Sequence, residues 1–325
     1  MIFTPAAAVA SPVLEAGHAH GGAGMDHWSE WHFDPLVLLV LDALTVAYAM
    51  GWRRLRSQGG REWATIPRAI SFLLGVNVLV LALVSPLHHL GMDYLLSAHM
   101  IQHMMVGDIA PILMCFGVYG QMRFFVIPPP IARRAAGPGM RPVIRFLARP
   151  RTAFWAWVAA TGVWYIPVVY NETLGNPLLH YVMWASIFIT GVAVWSHILA
   201  MVPSMRMSHA KRAGYAMALL FAGMIVSEFL FLNDPLYQVY IDQSDRLFGL
   251  SPEADQIRAS LLMTAEQTIT LLMAATLIMW NHADGAVADR AELDQEAALA
   301  PPPEPEPQAV PPGADQTPPA AARQR

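Results

Sequence analysis

Two histidines stand four residues apart in the segment Ser97-Ala98-His99-Met100-Ile101-Gln102-His103-Met104-Met105. On a helix, positions i and i+4 share one face with about 6 Å between Cβ atoms, so His99 and His103 can converge on one ion. Imidazole suits zinc and copper, and thioethers favour Cu(I). Met100, Met104 and Met105 flank the pair, while Met183, Met224 and Met263 lie on other apolar segments. Methionine also fills gaps between helices, and the chain has 19 of them. Paired neutral histidines also serve as hydrogen-bonding groups between helices. A zinc-protease helix would need a glutamate directly after the first histidine as general base. Met100 occupies that place, so that chemistry is disfavoured.

The elements that would carry these residues are membrane helices. Of the 325 residues, 55% are hydrophobic and only 14% are charged, against about a quarter charged in a soluble chain. One cysteine, Cys115, excludes a disulfide framework and an all-thiolate metal site. Nothing in the charge pattern points to nucleic acid. Seven apolar runs are long enough to cross a bilayer: 35–52, 67–86, 92–118, 153–171, 178–201, 211–232 and 260–281. Prolines at or near their edges suit helix starts, and Pro111 and Pro167 inside runs predict kinks. The expectation is an all-α polytopic membrane protein. Residues 1–34 form an outer His-containing segment, 35–282 a seven-helix domain, and 283–325 a cytoplasmic tail that is polar and then Pro/Ala-rich. No basic stretch opens the chain, which argues against a cleaved signal peptide. Residues 283–300 suit a short polar helix and the tail beyond 301 suits disorder.

Arginine and lysine fix the orientation. Connections 52–68, 121–151 and 203–212 are rich in them, whereas 87–91 and 172–176 have none. Basic connections stay on the cytoplasmic side, placing the N-terminus outside and the C-terminus inside. Counting 1.5 Å per residue from Met92 puts His99 roughly 10 Å and His103 roughly 16 Å into the membrane. By the same counting His180, Glu228, Glu266, Gln267, Asp42 and Tyr165 fall in the outer half. Intramembrane polar groups are costly and mark function by default, so this agreement in depth predicts one outward-facing polar site. The metal ligands expected are His99 and His103, with His180, Met100 and Met104 as supplements. Glu228, Glu266 and Tyr165 are expected around them, the carboxylates orienting imidazoles. His18, His20, Met25, His27 and His32 form a second cluster near the N-terminus, and His88 with His89 a third at the mouth. Asp108 and His197 are assigned to packing or a polar relay. A retinal protein is disfavoured, because the single lysine, Lys211, sits at the edge of a span.

Several short blocks also occur in a telling order: Ser85-Pro86-Leu87, the His99–His103 segment, Ala110-Pro111, Trp164 with Pro167 and Tyr170, Leu179-His180, Pro235-Leu236-Tyr237 with Tyr240, and Gly249-Leu250-Ser251-Pro252 with Asp255-Gln256. Over roughly 50–282 the chain resembles the CtaG-type cytochrome c oxidase assembly factors, seven-helix bacterial membrane proteins. It departs from their pattern at Tyr165 and Trp184, where the family usually has histidines. The resemblance implies a non-enzymatic factor in the bacterial plasma membrane that helps mature a haem–copper oxidase, with copper, as Cu(I), the implied cargo. The implied partners are an oxidase subunit in the bilayer and periplasmic copper chaperones. A metal or proton transporter and a haem-binding electron-transfer protein are the alternatives that the residues leave open.

Overall fold

The computed structural model describes residues 30–201 and 207–299, and every regular element among them is helical. The histidines His18, His20 and His27, Met25, and the tail from 301 lie outside the described residues. Contacts separate residues up to Ile278 from a second unit, Met279–Arg325. In that unit the described residues continue as helix to Leu299.

Five helices are long and apolar enough to cross a membrane: α1 (Pro35–Ser57), α2 (Ile66–Leu83), the Leu96–Gly117 segment, α11 (Pro177–Ile198) and α12 (His209–Leu232). A sixth crossing requires counting α9 (Pro150–Trp164) and α10 (Pro167–Gly175) as one span bent by 77°. The bend sits inside the expected run 153–171, at Pro167, where a kink was expected. Pro167 lacks an amide hydrogen and biases the residue before it away from the helical region, and Ile166 is indeed extended (φ −66°, ψ 123°). The expected seventh run, 260–281, is helical within α14 (Pro252–Leu299). The chain is thus a multi-pass helical protein with five or six such spans among the described residues.

The expected run 92–118 is the most altered. After α3 (Pro86–His89) comes a π-helical turn, Leu90–Tyr94, and then an extended residue, Leu95. Helix α4 (Leu96–Met104) begins only there, a second π turn covers Met105–Ile109, and α5 (Ala110–Gly117) begins at the Ala-Pro pair. His99 therefore lies about 5 Å, and His103 about 11 Å, from the helix start, closer to it than counting from Met92 implied. π turns add a residue to the helical repeat and are frequent at functional sites. Here one lies on each side of the two histidines.

The helices are inside-out relative to a soluble bundle. Leu39, Val168, Ile189, Ile225 and Leu232 are all more than 60% exposed, as lipid-facing residues would be. Inside, α2 packs on α5, and α11 packs on α9 and the second π turn. The last contact depends on Gly191: a Cβ there would fall onto the Gly107 carbonyl oxygen. Close backbone approach through small residues is the usual solution between membrane helices.

The short helices α6 (Met122–Val126), α7 (Pro129–Ala135) and α8 (Met140–Leu147) carry the basic connection after α5. Arg54 lies over the Phe125 ring at 5.6 Å, and Arg123 donates to Met201 O at 2.5 Å. The first two basic connections and the start of the third therefore meet at one end of the bundle, as their common charge implies. At the other end His32 N donates to Val84 O at 2.8 Å, and the Asp34 carboxylate caps α1 while accepting from Tyr181 on α11.

Gly191→Ala is expected to destabilise the protein by about 1–3 kcal/mol through overpacking. Gly214→Ala, whose Cβ would meet nothing within 4 Å, should not. Thermal unfolding of both purified variants in detergent checks this.

Candidate functional site

Helix α4 starts inside the protein, where its first amide groups have no intrahelical acceptor. Asp255, at the start of α14, supplies one: its carboxylate accepts from Leu96 N at 2.6 Å, from Ser97 N at 3.3 Å and from the Ser97 hydroxyl. Its neighbour Gln256 donates to Leu230 O at 2.9 Å, Asn233 O at 2.9 Å and Asp234 O at 3.2 Å, and accepts from Leu236 N at 2.9 Å. These two side chains fasten α14 to the start of α4 and to the end of α12. The loop so held leads into α13 (Gln238–Ile241), which delivers Tyr240 to the site.

Three imidazoles gather above this clasp. His99 and His103 have ring centroids 4.9 Å apart, and His99 lies 6.0 Å from His180 on α11. All three are at most 7% exposed. Trp184 stands among them, with its ring 5.5 Å from His99, 5.0 Å from His103 and 5.3 Å from His180. Each histidine has its Nε2 buried with no hydrogen-bond partner among the described residues. An unsatisfied buried polar atom costs about 1–3 kcal/mol, so three in one cluster call for an explanation.

The opposite ring nitrogens of two of them are held. His99 Nδ1 lies 3.3 Å from Gly91 O, which also accepts from the Tyr240 hydroxyl at 2.6 Å. A carbonyl accepts only, so Nδ1 carries the hydrogen and the Nε2 lone pair is left free, the tautomer that lets Nε2 serve as a metal ligand. Gly91 is needed for this approach, because a Cβ there would come within 3.0 Å of His99 Cα. His103 Nδ1 lies 3.5 Å from the Tyr165 hydroxyl, which donates to Met263 Sδ at 3.7 Å. Tyr165 thus takes the place beside an imidazole that was expected for it.

The other expected residues divide. Met104 lines, with His103, Asp108, Tyr165, Met263 and Gln267, a cavity of about 30 Å³, room for one water. Met100 is fully buried in an apolar cluster with Tyr170, Tyr240 and Met263, the packing role open to any methionine. Glu266 has both carboxylate oxygens buried. Neither of its carboxylate oxygens makes a hydrogen bond among the described residues, so it orients no imidazole. Glu228 is exposed on α12. The face of α12 that meets α14 presents Ser227, which pairs with Ser260 and Thr264. Asp42 is likewise exposed, because its neighbour Leu41 takes the inner face of α1. Asp108 accepts from Trp195 Nε1 at 3.0 Å, a polar link between the second π turn and α11. No group of three or more His, Cys, Asp or Glu among the described residues is arranged as a ready metal site.

The sequence places His88 at the mouth and His32 in the N-terminal cluster, with no sign of contact between either and the buried group. His88 lies 5.6 Å from the His180 ring and 4.6 Å from that of His32. Burial, then the nearby His180, push its pKa down to about 3, so it is neutral at physiological pH. Its Nδ1 is 3.3 Å from Gln102 Nε2, which also donates to Ala82 O. The signal available in the sequence was the direct adjacency of His88 to the outer end of the second run.

A family model described as "cytochrome c oxidase caa3 assembly factor (Caa3_CtaG)" matches residues 46–284. The chain belongs to this family. All three buried histidines and the Asp255–Gln256 clasp fall inside the match. Among curated relatives, uncharacterized proteins of Mycobacterium bovis and Mycobacterium tuberculosis are each 28% identical over 204 residues, covering 60% of this chain and 30% of theirs. The chain thus spans under a third of the length of the relatives it matches. No solved structure matches it significantly. Within this Caa3_CtaG member, Trp184 and Tyr165 are an aromatic wall and a hydroxyl contact.

Asp255→Ala is expected to lower stability by about 1–3 kcal/mol, because it strands buried amides at the start of α4. Glu253→Ala, exposed two residues earlier, should leave it unchanged. Chemical or thermal unfolding of the two variants distinguishes them.

Proposed function

We propose that this Caa3_CtaG member assists maturation of a haem–copper oxidase by holding Cu(I) transiently at His99, His103 and His180. The observation that carries the reading is the set of three buried Nε2 atoms without partners among the described residues, two of them on rings whose Nδ1 positions are already engaged. Imidazole donors in an apolar enclosure suit a soft or borderline ion, and Met104 stands beside His103 as a thioether donor. Copper here is cargo, not a resident cofactor. The protein needs no catalytic group for this role, and its residues bind, shield and release. The site lies near the chain end that the basic connections place outside, so copper arrives from the periplasmic face of the bacterial plasma membrane. A periplasmic copper chaperone is its source, and an oxidase subunit, met laterally in the bilayer, its recipient.

The haem alternative finds no support in the packing. The cavity beside His103 is about 30 Å³, and Trp184 fills the space between the imidazoles. The transport alternative draws on Asp108 and Glu266, two buried carboxylates inward of His103. Uptake of copper into vesicles by the purified protein would favour it.

Titration with Cu(I) against a competing chelator tests the proposal. Wild-type protein should bind, and the His99→Ala/His103→Ala double variant should lose about a hundredfold or more in affinity. Equal binding by both removes the metal role. In a deletion strain the purified oxidase should lack copper, and a fully metallated, active oxidase would refute the assembly assignment.

A further inference from the structure

The imidazoles do not stop at the buried group. His32, His88, His180, His99 and His103 succeed one another with ring centroids 4.6, 5.6, 6.0 and 4.9 Å apart. They come from four separate stretches: the segment before α1, helix α3, helix α11 and helix α4. Exposure falls along the series, from a His32 side chain 52% exposed to a fully buried His99. The outer members open on a cavity of about 260 Å³ lined by Glu30, Trp31, His32, His88, His89, Met92 and Asp93. His32 is fixed there by its backbone, through the 2.8 Å bond to Val84 O. His89 lies between two carboxylates, 3.1 Å from Glu30 and 2.9 Å from Asp93.

We propose that His32 and His88 form a capture station for a soft monovalent metal ion at the mouth, and that His88 hands the ion to His180 and so to the His99–His103 pair. This rests on the reading of the buried histidines as a copper site and adds the route by which it fills. The outer cavity supplies what a capture station needs: a solvent-facing opening, acidic residues that attract a cation, and Met92 as a thioether. His88 is placed to connect the two ends, because its ring is near both His32 outside and His180 inside. Its Nδ1 takes the ion. The Gln102 contact there is 3.3 Å, long for a hydrogen bond and readily exchanged for a metal bond. Each hand-over passes the ion between neighbouring imidazoles, the next bond forming as the previous one breaks. No electron moves, and the ion remains monovalent throughout.

The test uses the full chain in lipid nanodiscs, with chelator-buffered Cu(I) and separately Ag(I) as probes, monitoring both final occupancy and the rate of loading. His88→Ala should keep the equilibrium affinity of the buried site within about twofold while slowing loading and release about tenfold or more. His32→Ala, at an exposed position with little risk to folding, should slow loading by a smaller factor at unchanged affinity. Loading of both variants at the wild-type rate overturns the route. Loss of affinity in His88→Ala together with a wild-type rate in His32→Ala also overturns it, since His88 would then be a ligand of the buried site. Should His88→Ala fail to fold, the His32→Ala rate decides: a slowed rate supports the route and an unchanged one overturns it. Failure of the wild-type protein to bind either ion instead removes the functional reading, and the route with it.

Discussion

Helix α4 begins at a buried residue, Leu96, whose surround offers its first amide no water. That constraint organises the rest of the site. Leu95 precedes the helix in an extended conformation and offers no side-chain cap, so a carboxylate from another helix meets the first amides. Asp255 does so with two backbone bonds and one hydroxyl bond. Its effect extends beyond capping, because it ties the azimuth of α4 to α14. With α4 fixed in rotation, His99 turns toward α11 and Tyr240, and His103 toward Tyr165 and Trp184. A helix free to rotate by one residue would send both rings elsewhere.

The two π turns act on the same geometry. Each inserts a residue into the helical repeat and so resets the facing of the helix beyond it. The first brings Gly91 O against His99 and the Tyr240 hydroxyl. The second lets Gly107 meet Gly191 and turns Asp108 toward Trp195. Both turns are stabilised from outside the segment, by contacts with α11 and α13. This is why they leave no local trace in composition. A window of apolar residues around Met92 or Met105 reads as ordinary helix.

The same distinction between local and tertiary causes decides which features were legible in the sequence. Apolar runs, helix-starting prolines and the clustering of arginine are local quantities, and they located five spans, the broken pair at Pro167 and the shared basic end. The pair His99 and His103 was legible for the same reason, since i and i+4 share a face on any helix. Counting along a helix assumed to start at Met92 overstated how far the two histidines lie from the helix start, which is at Leu96. Counting also gives no azimuth. Asp42 and Glu228 sit at suitable heights but on the outward faces of α1 and α12, because Leu41 and Ser227 occupy the inward ones. Glu266 does turn its carboxylate inward, yet its oxygens bond no imidazole among the described residues. Which way a lone polar residue faces depends on the helices around it, and a single span does not carry that information.

Trp184 and Tyr165 show how an unexpected residue can keep a site's shape while changing its donor set. Each stands where a further imidazole was expected, and each still touches the histidines. Trp184 walls all three rings and contributes bulk in place of a lone pair. Tyr165 engages His103 Nδ1 and leaves Nε2 free, a positioning role that an added ligand would not fill. The enclosure therefore keeps three imidazoles close together with fewer donors around them than two further histidines would have given. The blocks around Tyr237 and Asp255–Gln256 then have a different meaning from that of a ligand motif. The Asp255 oxygens are occupied by α4 amides, and Gln256 spends its donors and acceptor on the loop after α12. These are the residues that hold the enclosure closed. Their presence in the chain beside the histidine pair has a geometric reason: the imidazoles keep their places only while α4 is anchored at its start.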